Sequence, residues 1–318
     1  MTTEHPAEIT VTVAEIAKEA DGIVSLRLVP SVDDKLPAWA PGAHIDVALG
    51  EDLERQYSLC GDPADLSSWR LGVLREPESR GGSAHVHERL AVGDRVVCRG
   101  PRNNFALVEA GAYLFIAGGI GITPILPMIA ACKEAGKPWR LFYGGRQESS
   151  MAFRAELAPF GDRVTFWPQD THGLLDLAAI LGTPTDGTAI YCCGPGALLD
   201  AVEQACERWP AGALHLERFR PKEGVLDGAN SPFEVELESS GLTLTVAADQ
   251  TLAEAIEAAG VDIPTSCREG TCGTCETYVL EGEPEHRDSY LSAEEQASGE
   301  VIMPCCSRSR SPRLVLDL

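Results

Sequence analysis

Residues 113–124 read YLFIAGGIGITP. Tyr113–Ala117 is a short apolar run with the length and composition of a buried strand. Gly118, Gly119 and Gly121 then form a glycine-rich turn, and Pro124–Ala135 has the pattern of a helix. Glycines in such a turn let the backbone bend tightly and approach a pyrophosphate, which the positive end of the helix attracts. Pro124 suits the first helical position. The glycines and prolines spread through this stretch argue against a membrane span.

The alternation continues outward. Strands are expected at Trp139–Tyr143, Val164–Trp167 and Thr188–Cys192. Helices are expected at Met151–Ala158, Leu174–Ile180 and Pro195–Arg208. Strands and helices in this order imply a parallel sheet covered on both faces. Two more turns end strands in the same way, Tyr143-Gly144-Gly145-Arg146 and Cys193-Gly194-Pro195-Gly196. Open α/β sheets bind ligands at these carboxyl ends. Arg146 is a candidate for an adenosine ribose or phosphate, and equally a solvated surface arginine. Glu148 beside it would resist a 2′-phosphate.

Upstream the pattern is all-β. Ile9–Ala17, Ile23–Leu28, His44–Ala48, Gln56–Leu59 and Trp69–Leu74 are short strands. Turns at Asp33-Asp34, Pro41-Gly42, Gly61-Asp62-Pro63 and Gly81-Gly82 separate them. This spacing fits a small antiparallel barrel or sandwich. It carries Arg55-Gln56-Tyr57-Ser58-Leu59 and Arg80-Gly81-Gly82-Ser83. An Arg and a Ser near a glycine pair suit a flavin phosphate, and a Tyr suits the flavin ring. From the residues alone the first segment is only a strand with a polar face.

Downstream, Pro221–Pro232 is polar and rich in Gly, Pro and Asp, as a linker is. A hairpin follows at Phe233–Glu238 and Leu242–Ala247. Thr251 to Glu254 is a capping box, with Gly260 as the helix stop. Ser292 to Glu295 is a second capping box, and Leu314–Leu318 suits a closing strand. The expected division is 1–108, 109–224, a linker at 225–232, and 233–318.

The last segment holds Cys267-Arg-Glu-Gly-Thr-Cys272-Gly-Thr-Cys275, with Cys305 further on. This C-x4-C-x2-C spacing with a distant Cys is that of plant-type [2Fe–2S] sites, which need four thiolates. Gly270 and Gly273 let the loop turn its N–H groups toward the sulfurs. A structural zinc site usually shows two CxxC or CxxH pairs and no x4 gap. Only one of the adjacent Cys305 and Cys306 can be the fourth ligand, and Cys305 is the expected one.

Composition sets outer bounds. The chain has 318 residues, is 44% apolar and 23% charged, and carries a net charge of −22. These values fit a folded protein of two or three domains. They exclude a disordered or collagen-like chain. The negative surface repels nucleic acid and anionic lipid, so neither nucleic acid nor a membrane is an expected partner. MTTEHPAEIT has no signal-peptide pattern. The eleven cysteines fit a reducing, cytoplasmic setting. Residues 226–318 hold 18 acidic and 5 basic side chains, a net of −13. That predicts docking on a basic partner, weakened by salt.

RQYSL, PGAHIDV, RGGS, AGGIGITP, YCCGPG and the cysteine motif, in this order, resemble the phthalate dioxygenase reductase and vanillate demethylase reductase family. That family lies within the ferredoxin–NADP reductase superfamily. The resemblance spans essentially the whole chain. It implies an antiparallel β-barrel binding FMN, a parallel α/β domain binding NADH, and a C-terminal β-grasp ferredoxin domain with a [2Fe–2S] cluster. Electrons would pass from NADH through FMN and the cluster to a Rieske-type terminal oxygenase acting on an aromatic acid or similar small molecule.

The resemblance places Arg55, Gln56, Tyr57 and Ser58 on the flavin. It puts Gly72, Val73 and Leu74 along its edge, and Gly81, Gly82 and Ser83 at its phosphate. Gly119, Gly121, Thr123, Cys193 and Gly194 face the nicotinamide nucleotide. Phe219 resembles the aromatic that stacks where nicotinamide enters; with Ser58 it is the catalytic candidate. Ser266 and Thr271 surround the cluster. The short path Cys60–Arg70 favours FMN over FAD, and the resemblance favours NADH over NADPH. His85, His87 and His172 have no assigned role. Rival readings are a reductase serving a cytochrome P450 and a redox sensor or carrier without turnover.

Overall fold

The computed structural model describes residues 8–31, 35–50, 53–79 and 81–318. Asp33, Asp34 and Arg80 lie outside the described residues. The chain forms two compact units that meet in sequence at Glu217 and Arg218.

The first unit begins with β1 (Glu8–Ala20), β2 (Ile23–Pro30), β3 (His44–Gly50), β4 (Leu53–Ser58), β5 (Trp69–Leu74), helix α1 (Gly82–Glu88) and β6 (Arg95–Arg102). The strands form one antiparallel sheet in the order β4-β3-β6-β1-β2-β5. A bridge between Leu59 and Leu71 joins its two edges into a barrel. Strand alternation sends Ile45, Val47 and Leu49 into the core with Val11, Val13, Leu26 and Leu28. The alternate residue Asp46 is instead buried against Arg102, at 2.6 Å.

The parallel sheet follows. It contains β7 (Ala112–Gly118), β8 (Trp139–Gly145), β9 (Val164–Pro168), β10 (Thr188–Cys193) and β11 (Leu214–Glu217), in the order β11-β10-β7-β8-β9. Between them run α2 (Ile125–Glu134), α3 (Arg154–Leu157), α4 (Gln169–His172), α5 (Leu177–Leu181) and α6 (Gly196–Ala205). Each face has its own core. Ile125, Met128 and Ile129 of α2 pack with Phe115, Leu141 and Tyr143. Leu199 and Val202 of α6 pack with Ile116 and Ile190. The first of these cores also takes in Ala20, Ile23 and Cys60 of the barrel. Two expected helices are shorter than their sequence suggests. Phe153 has φ 59° and breaks the first, so α3 starts at Arg154. The Asp176 carboxylate accepts from the Ala179 N–H at 3.0 Å, which caps α5 and fixes its start at Leu177.

The second unit contains β12 (Phe233–Leu237), β13 (Leu242–Val246), α7 (Leu252–Ala258), β14 (Thr277–Glu281), β15 (Pro284–Glu285), α8 (Ala293–Ser298), β16 (Val301–Ile302), β17 (Arg308–Ser309) and β18 (Arg313–Leu316). Its main sheet runs β13-β12-β18-β14-β16. Leu252 and Ile256 of α7 bury against Val235, Leu237, Leu314 and Leu316. Both expected capping boxes form, at Thr251–Glu254 and Ser292–Glu295. Two buried arginines hold residues 229–231 to this unit. Arg287 donates to the Ala229 carbonyl at 3.0 Å and to Asn230 Oδ1 at 2.6 Å. Arg308 donates to the carbonyls of Ser231, Ala247 and Gln250 at 2.8–3.1 Å.

Candidate functional site

In the second unit, the loop after α7 gathers thiols. The N–H groups of Glu269 and Thr271 both point at Cys267 Sγ, at 3.4 Å. Cys267 lies within hydrogen-bonding reach of Cys272 and Cys305. Cys275 shares a buried core with Cys305. Cys306 Sγ meets the Met303 carbonyl and Ser307 Oγ, both at 3.8 Å. The Tyr290 ring occupies the space a Cβ on Gly273 would need, at 2.4 Å, so this turn admits only glycine. Arg268, Gly270 and Gly273 all have left-handed backbone, which wraps the loop tightly. Converging sulfurs with N–H donors aimed at one of them are the environment a thiolate-bound iron–sulfur cluster requires. The residues therefore fit that group.

In the first unit, the barrel presents a second cradle. Arg55–Ser58 form the end of β4, and Gly72–Leu74 the end of β5. Gly81 is the N-cap of α1, which begins at Gly82. The Arg55 side chain lies directly on Gly82, where a Cβ would meet Cγ at 2.4 Å. This brings a guanidinium to a helix start, a pairing that suits a phosphate. Ser83 Oγ accepts from the Glu76 N–H at 3.1 Å and contacts Ser79 Oγ at 3.0 Å. Burial raises the Tyr57 phenol to about 12, so it stays protonated. His87 Nε2 bonds the Val73 carbonyl at 2.9 Å, a structural role.

At the carboxyl ends of the parallel strands two turns interlock. Ala117 of β7 pairs with Cys193 of β10. Gly118 and Gly194 then approach so closely that a Cβ on Gly194 would lie 2.9 Å from Gly118 Cα. Thr123 is buried, and its hydroxyl donates to the Ile120 carbonyl at 3.0 Å, which fixes the turn before α2. Gly119 lies in the same turn with φ 56°. Arg146, just past β8, is exposed. Phe219, two residues past Glu217, belongs to the other unit, with 41% of its surface exposed.

Sequence reading missed Glu217. It ends β11, beside Cys193 in the register of β10. The Cys193 thiol donates to its carboxylate at 3.9 Å, and Ser58 of the barrel also hydrogen-bonds to it. The residue is half-buried, and burial of its carboxyl raises it to about 8 against the lowering effect of the two hydrogen bonds. No motif marks this residue, because its partners come from two distant strands. Its titration has a definite sign. Between about pH 4.5 and pH 8 the folded chain keeps a proton that the unfolded chain has lost. Stability therefore falls as pH rises through that window. Glu217→Gln is expected to flatten this slope and to gain roughly 1–3 kcal/mol at pH 8.5 relative to wild type, after discounting for solvent access. Melting curves from pH 5 to pH 9 test this; parallel curves for the two proteins would exclude it.

Comparison with known proteins identifies the family. A family model described as a 2Fe-2S iron-sulfur cluster binding domain matches residues 235–310. One described as an oxidoreductase NAD-binding domain matches residues 115–204. The phenoxybenzoate dioxygenase subunit beta of Ectopseudomonas oleovorans is 43% identical over 98% of both chains. The solved structure of phthalate dioxygenase reductase, described as modular for electron transfer from pyridine nucleotides to [2Fe–2S], is 34% identical with a TM-score of 0.73, over 98% of both chains. An intact type IV self-sufficient cytochrome P450 monooxygenase is 44% identical with a TM-score of 0.88; the match covers 98% of this chain and 41% of that one. This chain thus spans about two fifths of the P450 protein. No helix among the described residues is long and apolar enough to cross a membrane. With relatives 34% and 43% identical along 98% of both chains, the chain belongs to the phthalate dioxygenase reductase family of oxygenase reductases, with an NAD-binding domain and a [2Fe–2S]-binding domain.

Proposed function

We propose that the protein takes electrons from NADH through FMN and the [2Fe–2S] cluster and delivers them to a Rieske-type terminal oxygenase in the cytoplasm. The flavin, when bound, accepts a hydride and releases single electrons. The chain's own residues bind and orient. Arg55 with Gly81–Ser83 would hold the flavin phosphate, and Tyr57, Ser58 and Gly72–Leu74 its ring. Gly119, Gly121, Thr123, Cys193 and Gly194 would hold the nucleotide, with Arg146 at its adenosine end and Phe219 at the nicotinamide entrance. Cys267, Cys272, Cys275 and Cys305 would hold the cluster. In functional terms the flavin part is 1–108, the nucleotide part 109–224, the linker 225–232 and the ferredoxin part 233–318.

One observation carries this reading. Ser58 of the barrel bonds Glu217 beside Cys193. This contact supports a flavin cradle and a nucleotide turn that would share one polar cluster, as direct hydride transfer requires. The strongly acidic ferredoxin part supports docking on a basic acceptor. A cytochrome P450 acceptor is the second reading, favoured by the similarity to the self-sufficient P450. The test is an anaerobic absorption titration with NADH and then NADPH, followed by turnover with each class of acceptor at rising salt. Flavin and cluster bands bleached first by NADH, and a Rieske oxygenase turnover that falls several-fold between 50 and 500 mM salt, are expected. A protein that neither nucleotide reduces would exclude the reductase role.

A further inference from the structure

Phe153 and Arg268 are the non-glycine residues with left-handed backbone among those described. Arg268 belongs to the thiol loop. Phe153 is buried in the first unit, with φ 59° and ψ 18°. A bulky residue keeps this unfavourable conformation only where its surroundings over-determine it, and such strain gathers at functional positions.

The surroundings are specific. The Phe153 ring packs on Gly72 of β5, where a Cβ would meet its Cε2 and Cζ at 3.2 Å and Thr123 Cγ2 at 2.7 Å. The barrel strand, the nucleotide turn and Phe153 therefore touch at one point. Arg70, two residues earlier on β5, lies over the same ring with Cζ 5.0 Å from its centroid. Its guanidinium forks onto Glu156 of α3, at 2.6 and 3.0 Å. It also donates twice to the Cys60 carbonyl, at 3.2 and 2.7 Å. Arg70 is thus fixed on three sides. Yet its side chain is 28% exposed and that of Glu156 is 46% exposed. An ion pair this open to solvent contributes little to stability. What it does supply is geometry, since a planar bidentate fork fixes direction as well as distance.

We propose that Arg70, Glu156 and Phe153 form a clamp of positioning residues that sets β5 against the Thr123 turn, and so sets the flavin edge against the nicotinamide. This rests on the reading that Gly72 borders the flavin and Thr123 the nucleotide. Hydride transfer is steep in distance, so a displacement of about 1 Å costs roughly 100-fold in rate. The clamp acts on that step and not on binding. Gly72 makes the contact possible, because any side chain there would force the turn away.

The test uses the full-length protein loaded with its cofactors, in four forms: wild type, Arg70→Met, Arg70→Lys and the exposed-site variant Glu156→Gln. Arg70→Met is expected to slow flavin reduction at saturating NADH by roughly 10- to 100-fold. Flavin content, melting temperature and the Kd for NAD+ should stay close to wild type. Arg70→Lys restores the cation without the fork, so it should recover part of the rate. Glu156→Gln should show a smaller fall in the same direction. The visible difference spectrum that NAD+ induces in the oxidised protein should weaken in the same order, a signature independent of turnover. A flavin-reduction rate within about twofold of wild type in Arg70→Met overturns the clamp. So does a loss that runs parallel with lost flavin or lowered melting temperature. A wild-type flavin that neither NADH nor NADPH reduces is a different failure, that of the reductase reading itself.

Discussion

Replacing Cys305 by Ser is expected to abolish the [2Fe–2S] cluster, while Cys306→Ser leaves it in place. The two residues are adjacent, so composition and hydrophobicity do not separate them. Their surroundings do. Cys305 is buried in the same apolar core as Cys275 and lies within reach of Cys267. Cys306 directs its sulfur at the Met303 carbonyl and Ser307 Oγ. Losing a direct thiolate ligand should cost more than the roughly 10- to 100-fold in affinity that follows loss of an outer-shell partner. Cys306→Ser should cost little, because Ser keeps a small polar group beside the same acceptors. Iron and sulfide content and the cluster absorption bands of the purified variants are the measurement. A colourless thiol loop in Cys306→Ser with an intact cluster in Cys305→Ser would reverse the assignment. Flavin reduction by NADH should survive in both variants, since the thiol loop and the flavin cradle belong to different units. Reduction of a one-electron protein acceptor should survive only in Cys306→Ser.

The features legible in the sequence were those whose chemistry is local. C-x4-C-x2-C places three thiols on one loop by spacing alone. The turn at 117–124 announced itself because strand, glycines and helix start are contiguous. Capping boxes at Thr251 and Ser292 were equally readable, since each needs only residues three apart. What escaped depends on residues meeting from far apart. Glu217 sits in an unremarkable LHLE strand and matters only because Ser58 and Cys193 reach it. Strand β6 was hidden because its three arginines mask the β pattern. The helix expected at Met151–Ala158 has good local propensity, but tertiary contacts hold Phe153 in a left-handed conformation and shorten it to Arg154–Leu157. Arg287 and Arg308 look like surface charges in sequence. They are buried because the chain at 229–231 supplies carbonyls that satisfy them.

Gly121→Ala is expected to weaken nucleotide binding severely, and Gly119→Ala to weaken it only modestly, although both glycines belong to the same motif. The difference is steric. A Cβ on Gly121 would sit 2.2 Å from the Cys193 carbonyl oxygen and 2.7 Å from the Gly194 N–H nitrogen. Both are backbone atoms anchored at the end of a central strand, so neither can swing aside like a flexible side chain. The turn after β7 would have to separate from the turn after β10. Overpacking of this kind costs typically 1–3 kcal/mol, and the two turns it forces apart are those that would cradle the pyrophosphate. A Cβ on Gly119 meets nothing within 4 Å, so its substitution costs only the strain of φ 56°, about 1–2 kcal/mol. Titration with NAD+ should therefore show Gly121→Ala binding up to roughly 100-fold more weakly than wild type, the upper end of that cost at 1.4 kcal/mol per tenfold, with flavin content kept. Gly119→Ala should bind at most about 30-fold more weakly than wild type, because the same strain, converted at 1.4 kcal/mol per decade, allows no more. If Gly119→Ala proved the more damaging, the nucleotide would be held by the backbone of the outer turn. The interlocked strand ends would then have only a structural role.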